Sequence, residues 1–136
     1  MPAPYVGGCR CGAIRYQCDV EAMFSAYCNC RDCQYASGGG FAVIAMFPGA
    51  GVRFTGKATA YTLRGESGSD VTRHFCPTCG TPVWSDVAGG PGWVAIKGAT
   101  FDDPSWVKPM AEIWTDSAQP WARIPDSVTR FPRNPA

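Results

Sequence analysis

"RHFCPTCGTPVW", residues 73–84, places a Cys-x-x-Cys pair between two stretches of strand-like sequence. "VTRHF" runs straight into Cys76, and "TPVWSDV" follows directly after Gly80. A redox dithiol with this spacing usually sits between a strand and a helix. With strand on both sides, the segment reads as a metal knuckle: both sulfurs point at one ion, and Gly80 relieves the turn. The fold then consists of strands pinned by metal.

The flanking sequence agrees. "IRYQCDV" (14–20) alternates, with Ile14, Tyr16, Cys18 and Val20 on one side and Arg15, Gln17 and Asp19 on the other. "FAVIAMF" (41–47) is continuously apolar and stops at Pro48-Gly49, the pattern of a buried strand. "VRFTG", "KATAYTL", "GWVAIKG" and "AEIWT" are further strand candidates, and "AGGPG" (88–92) is a turn-rich linker. The 16 Gly and 12 Pro argue against long helices. One helical element is expected, from near Cys30 to the glycines at 38–40, which supply a positive-φ stop. The expectation is one all-β domain over residues 1–136, with at most a short helical element. Its core runs from about residue 7 to 121, and a loose, Pro-rich tail follows Trp121.

A chain of 136 residues is the size of one domain and buries enough core to need no disulfide staples. The net charge is +1 and the 12 Lys and Arg are scattered, which excludes a nucleic-acid or anionic-membrane surface. "MPAPYVGGCRCG" has neither the basic nor the apolar region of a signal peptide. No apolar run approaches the ~18 residues of a membrane span. A soluble cytoplasmic protein without a membrane partner is expected. In that compartment clustered cysteines bind metal more often than they pair as disulfides.

Seven of the eight cysteines fall in three groups: Cys9-x-Cys11, Cys28-x-Cys30-x-x-Cys33 and Cys76-x-x-Cys79. Cys18, on the apolar side of its strand, reads as a small buried hydrophobe. A structural zinc takes four ligands. Pairing Cys9 and Cys11, in the flexible "GGCRCG", with Cys76 and Cys79 gives a closed four-thiolate site. Cys28, Cys30 and Cys33 then remain as three ligands, and a zinc with three protein ligands keeps one open position, the pattern of catalytic zinc. A second structural zinc completed by Cys18 or His74, another pairing of the groups, and an iron–sulfur cluster all stay open on spacing alone.

"GGCRCGAIRY", "CNCRDC", "RHFCPTCGTPVW" and "SAQPW", in that order, resemble the glutathione-dependent formaldehyde-activating enzyme family, which also contains centromere protein V. The resemblance runs from about Gly7 to Trp121. It implies a β-tent of small antiparallel sheets pinned by zinc. It implies a structural zinc on Cys9, Cys11, Cys76 and Cys79 and a second, more labile zinc on Cys28, Cys30 and Cys33, with glutathione bound nearby as co-substrate. The implied activity is a carbon–sulfur lyase-type condensation of glutathione, or a related thiol, with formaldehyde or another small aldehyde. The partners are then a small-molecule thiol and an aldehyde. Ser117 is followed by Ala118, where many members carry a basic residue. The competing reading is a zinc-stabilised binding module, or a paralogue that acts on a thiol other than glutathione.

His74, the only histidine, is a candidate general base near neutral pH and equally a packing residue. Arg10 and Arg31 lie inside cysteine groups, where they pair with a ligand carboxylate or offset thiolate charge. Asp32 reads as a turn or capping residue, and the five tryptophans read as core or rim.

Overall fold

The computed structural model describes residues 2–87 and 92–135. Its elements are β1 (Tyr5–Gly8), β2 (Arg15–Cys18), β3 (Phe24–Cys28), α1 (Arg31–Ser37), β4 (Ala42–Pro48), β5 (Val52–Thr55), β6 (Thr59–Arg64), β7 (Asp70–Phe75), β8 (Pro82–Val87), β9 (Trp93–Lys97), β10 (Ala111–Ile113) and β11 (Thr129–Arg130). The all-β expectation holds. Most of the "AGGPG" linker, residues 88–91, lies outside the described residues.

The strands form two sheets. The smaller is antiparallel in the order β1-β2-β5, and the larger has the order β11-β10-β3-β4-β9-β8-β7-β6. The larger sheet is wider than a small antiparallel unit, and at one end β10 runs parallel to both β3 and β11.

The apolar run of β4 has a two-sided explanation. Ala45 and Phe47 face a core shared with the smaller sheet, among Tyr5, Tyr16, Val94 and Ile96. Ala42 and Ile44 face a second core with Ala26, Cys28, Cys33, Ala95 and Ile113. Successive strand side chains point to opposite faces, so a strand between two cores must be apolar throughout. Phe47 and Ile96 are fully buried, each worth roughly 1.5–3 kcal/mol of transfer free energy.

In and just before β2, Ile14, Tyr16 and Cys18 turn inward as the alternation predicts, but Val20 is exposed. The strand ends at Cys18 because the chain turns there, with Asp19 N–H donating to Gly51 O. The helix starts and stops as expected, and Gly38 takes φ 73° as its cap.

The segment after Trp121 corrects the expectation of a loose tail. β11 pairs with β10, Arg130 Nε donates to the carboxylate of Glu112 at 3.0 Å, and Phe131 packs on the second core. Proline is compatible with such an edge, which needs only a short paired stretch and side-chain anchors.

Candidate metal centres

The Sγ atoms of Cys9, Cys11, Cys76 and Cys79 all lie within 4.8 Å of one another. Cys9 to Cys11 is 3.6 Å and Cys11 to Cys76 is 3.7 Å. A tetrahedral zinc with bonds of about 2.3 Å sets its sulfurs about 3.8 Å apart, so these side chains fit that ion. Backbone amides already point at the sulfurs. Ile14 N–H donates to Cys9 Sγ at 3.2 Å, and Thr78 and Cys79 N–H donate to Cys76 Sγ at 3.4 and 3.5 Å. The hydroxyl of Thr81 lies 3.2 Å from Cys79 Sγ and is the first cause of its thiol falling to about 5. Gly80 takes φ 78°, the left-handed turn expected after the knuckle.

Cys28, Cys30 and Cys33 form the other cluster, also with every Sγ within 4.8 Å. Cys28 ends β3, Cys30 caps α1 with its sulfur accepting from Cys33 N–H at 3.3 Å, and Cys33 is buried in the first turn. Strand, cap and helix thereby converge on one point. Hydrogen bonds from Cys28 and Cys30, helped by the charges of Lys97 and Arg73, push the Cys33 thiol far down, whereas the Cys28 thiol is pushed up. Among the described residues neither Cys18 nor His74 joins this cluster. Its three soft sulfur ligands suit zinc, and all three cysteines line a pocket of about 130 Å³.

His74 points elsewhere. Its ring stacks on Trp84 with centroids 4.1 Å apart, and Nε2 lies 2.7 Å from Asp86. Trp84 in turn stacks on Phe54 of the smaller sheet. The packing reading of His74 therefore describes its place, and it does not line the three-thiol pocket. Arg31 is exposed and lies over the Tyr35 ring, while Arg10 donates its backbone N–H to Thr81 Oγ1. Asp32 sits in the first turn of α1 at the pocket's edge. Trp84 and Trp106 pack as core or rim side chains, Trp114 is buried at the pocket, and Trp121 is exposed.

The cations at the three-thiol centre are instead Arg73 and Lys97, which the sequence reading did not single out. Both line the pocket, and Arg73 Nη2 reaches Cys33 Sγ at 3.9 Å. Burial, followed by the neighbouring Arg73, lowers the Lys97 ammonium, while the thiols of Cys33, Cys28 and Cys30 pull it back up. A signal was present: Arg73 alternates with His74, and Lys97 is the one charge in "GWVAIKG".

Fold and cysteine geometry together define a β protein with one cluster of four cysteine sulfurs that could hold a metal ion and a second cluster of three beside a pocket. The model of the glutathione-dependent formaldehyde-activating enzyme family matches residues 4–117, and the chain belongs to that family. A Rhodobacter sphaeroides protein of known crystal structure is 21% identical, with 71% of this chain and 87% of that one covered and a TM-score of 0.58. At that identity the likeness is one of fold. No curated protein matches the chain.

Proposed function

We propose that the protein is a zinc-dependent carbon–sulfur lyase-type enzyme. It joins glutathione, or a related small thiol, to formaldehyde or another small aldehyde as an S-hydroxymethyl adduct. The observation that carries this reading is the contrast between the two centres. Cys9, Cys11, Cys76 and Cys79 offer a full ligand set. Cys28, Cys30 and Cys33 offer one ligand fewer and border a pocket that holds two cations.

The reaction needs a thiolate, and free alkyl thiols of pKa about 8.5 or higher are mostly protonated at neutral pH. Zinc held by Cys28, Cys30 and Cys33 would favour the ionised form of an incoming sulfur. Three cysteinates around a divalent ion carry one net negative charge, which by itself repels a further thiolate. Arg73 and Lys97, which line the same pocket, oppose that charge beside the sulfurs. Apolar walls from Ile44, Met46 and Ile113 limit water around the sulfur. A glutathione-linked reaction belongs in the reducing cytoplasm. Among the described residues no helix is long and apolar enough to cross a membrane.

The test is zinc per chain, with and without saturating glutathione, together with the NMR exchange rate between formaldehyde and its thiol adduct. Two zinc ions and accelerated exchange support the proposal. Acceleration with another thiol only would move the substrate to that thiol. Exchange at the uncatalysed rate with every small thiol would overturn the enzyme reading and leave a zinc-stabilised binding module.

A further inference from the structure

The face of the larger sheet that carries the three thiols holds a second group of polar atoms without partners. Arg73 of β7 and Ser85 of β8 are cross-strand partners, and Ala95 of β9 is next in the row. Directly paired residues have Cβ atoms roughly 4.5–5.5 Å apart, so the hydroxyl and the guanidinium stand side by side. Ala95 lines the pocket with them. Ser85 is 4% exposed, and its Oγ has no hydrogen-bond partner. Arg73 Nε is also buried and unpartnered, while its Nη2 is turned to Cys33. Both residues line the three-thiol pocket. Buried donors are nearly always paired in folded proteins, and two orphans on adjacent strands beside a reactive centre point to a ligand oxygen.

The size of the pocket selects the ligand. About 130 Å³ is well below the roughly 300–1,000 Å³ that encloses a drug-sized molecule. It holds the reacting end of a thiol and a small carbonyl compound, with the rest of the thiol outside. Exposed Glu66 and the Asp32 side chain also line it, so the distant carboxylates of a larger thiol are kept outside.

We propose that Ser85 Oγ–H and Arg73 Nε–H form an oxyanion site that receives the oxygen of the aldehyde as a thiolate adds to its carbonyl carbon. This assignment rests on the enzyme reading above and names the groups that hold the developing charge. A sulfur lone pair forms the new C–S bond, and the C=O π pair moves onto oxygen. The alkoxide accepts hydrogen bonds from Ser85 and Arg73, then takes a proton from solvent. That proton balances the one released when the thiol ionised, and nothing is oxidised or reduced. The Lys97 side chain makes no hydrogen bond or ion pair among the described residues and adds positive potential from β9.

The alternative role for Arg73 is to offset the charge of Cys33, which a lysine would also do. Two variants separate the roles. Ser85→Ala removes one donor, and Arg73→Lys keeps the charge but removes Nε–H. Loss of one oxyanion donor lowers a rate by roughly 10²–10³-fold. Ser85→Ala is therefore expected to slow adduct exchange at least tenfold, with zinc per chain and glutathione affinity unchanged, and Arg73→Lys is expected to do the same. A readout independent of turnover is formate binding to the cobalt-substituted protein, followed by its ligand-field bands. Formate should bind at least tenfold more weakly to Ser85→Ala. Unchanged exchange and unchanged formate affinity in both variants would overturn the oxyanion site. Formate binding that depends on Ser85, in a wild type that accelerates no thiol–aldehyde exchange, would keep the anion site and overturn the enzyme reading.

Discussion

Cys11 Sγ lies 3.7 Å from Cys76 Sγ, although 65 positions separate the residues in sequence. One cysteine sits in the loop after β1 and the other follows β7, so the four-thiol centre ties the smaller sheet to the larger. Structural zinc contributes about 10–16 kcal/mol of apparent binding free energy in small domains, comparable to a whole domain's stability of about 5–15 kcal/mol. Cys76→Ser, or prolonged chelation, is expected to abolish cooperative thermal unfolding. A variant that melts like the wild type would show that the two cores hold the sheets without metal.

Cys30→Ser should behave in the opposite way. Cys30 is the N-cap of α1, and its sulfur accepts from Cys33 N–H. Serine is among the favoured N-cap residues, so the helix keeps its cap while the three-thiol centre loses a ligand. Zinc per chain is expected to fall from two to one with little change in melting temperature. Wild-type zinc content in this variant would remove Cys30 from the ligand set.

Why the four-thiol centre was legible and the pocket was not follows from how each is encoded. The pair Cys76 and Cys79 carries its local geometry in four residues and a glycine, so the knuckle reads directly from sequence. Arg73 and Ser85 meet only through the register of β7 on β8, and no local pattern records register. "YVGG" does not announce β1 because two glycines hide its alternation, and "FSAYC" does not announce β3 because it merges into the cysteine group. β11 has two residues and owes its place to Glu112 and to packing by Phe131, both distant in sequence.

The C-terminal segment should matter to the pocket. Trp114 has φ 59°, a left-handed conformation uncommon outside glycine, which costs on the order of 1–3 kcal/mol. It is held there by its N–H donating to Arg133 O at 3.1 Å and its Nε1–H donating to Asn134 Oδ1 at 2.8 Å. Trp114 and Asn134 both line the three-thiol pocket. Deleting residues 129–136 is expected to lower stability by about 1–3 kcal/mol, because the lost packing of half-buried Phe131 and the lost hydrogen bonds to Trp114 outweigh the strain relieved at Trp114. The same deletion should speed zinc loss from the three-thiol centre to a chelator. Unchanged stability would mean that the tail contacts contribute nothing in solution.

Acid should test the anchor of β1. The Tyr5 hydroxyl donates to the carboxylate of Glu21, which also accepts from Ala3 N–H. The Tyr5 hydrogen bond is the first cause of the Glu21 pKa falling below its ordinary value, and Tyr5 itself rises to about 12. A depressed carboxylate stabilises the fold above its unfolded pKa of about 4.3, and that contribution is lost as pH falls through the folded value. The raised phenol contributes below about 10 and loses that contribution as pH rises through the folded value. Glu21→Gln should therefore melt a little below the wild type between pH 5 and 9, estimated as about the plateau between those limits. The difference should close on acidification. A gap that stays constant down to pH 2, roughly two units below the unfolded carboxylate, would place the effect outside ionisation.

Ser85→Ala offers a stability test that needs no substrate. Its hydroxyl is buried without a partner, and such a group costs about 1–3 kcal/mol of desolvation. Alanine removes the polar atom and leaves only a small void. The variant is expected to be more stable by about 1 kcal/mol, a rise of roughly 3–5 °C in melting temperature. A residue kept for function at a cost in stability shows this pattern, in which activity falls as the melting temperature rises. A variant that melts below the wild type would mean that Oγ is engaged in holding the sheet together, and Ser85 would then have no free hydroxyl to offer the aldehyde oxygen.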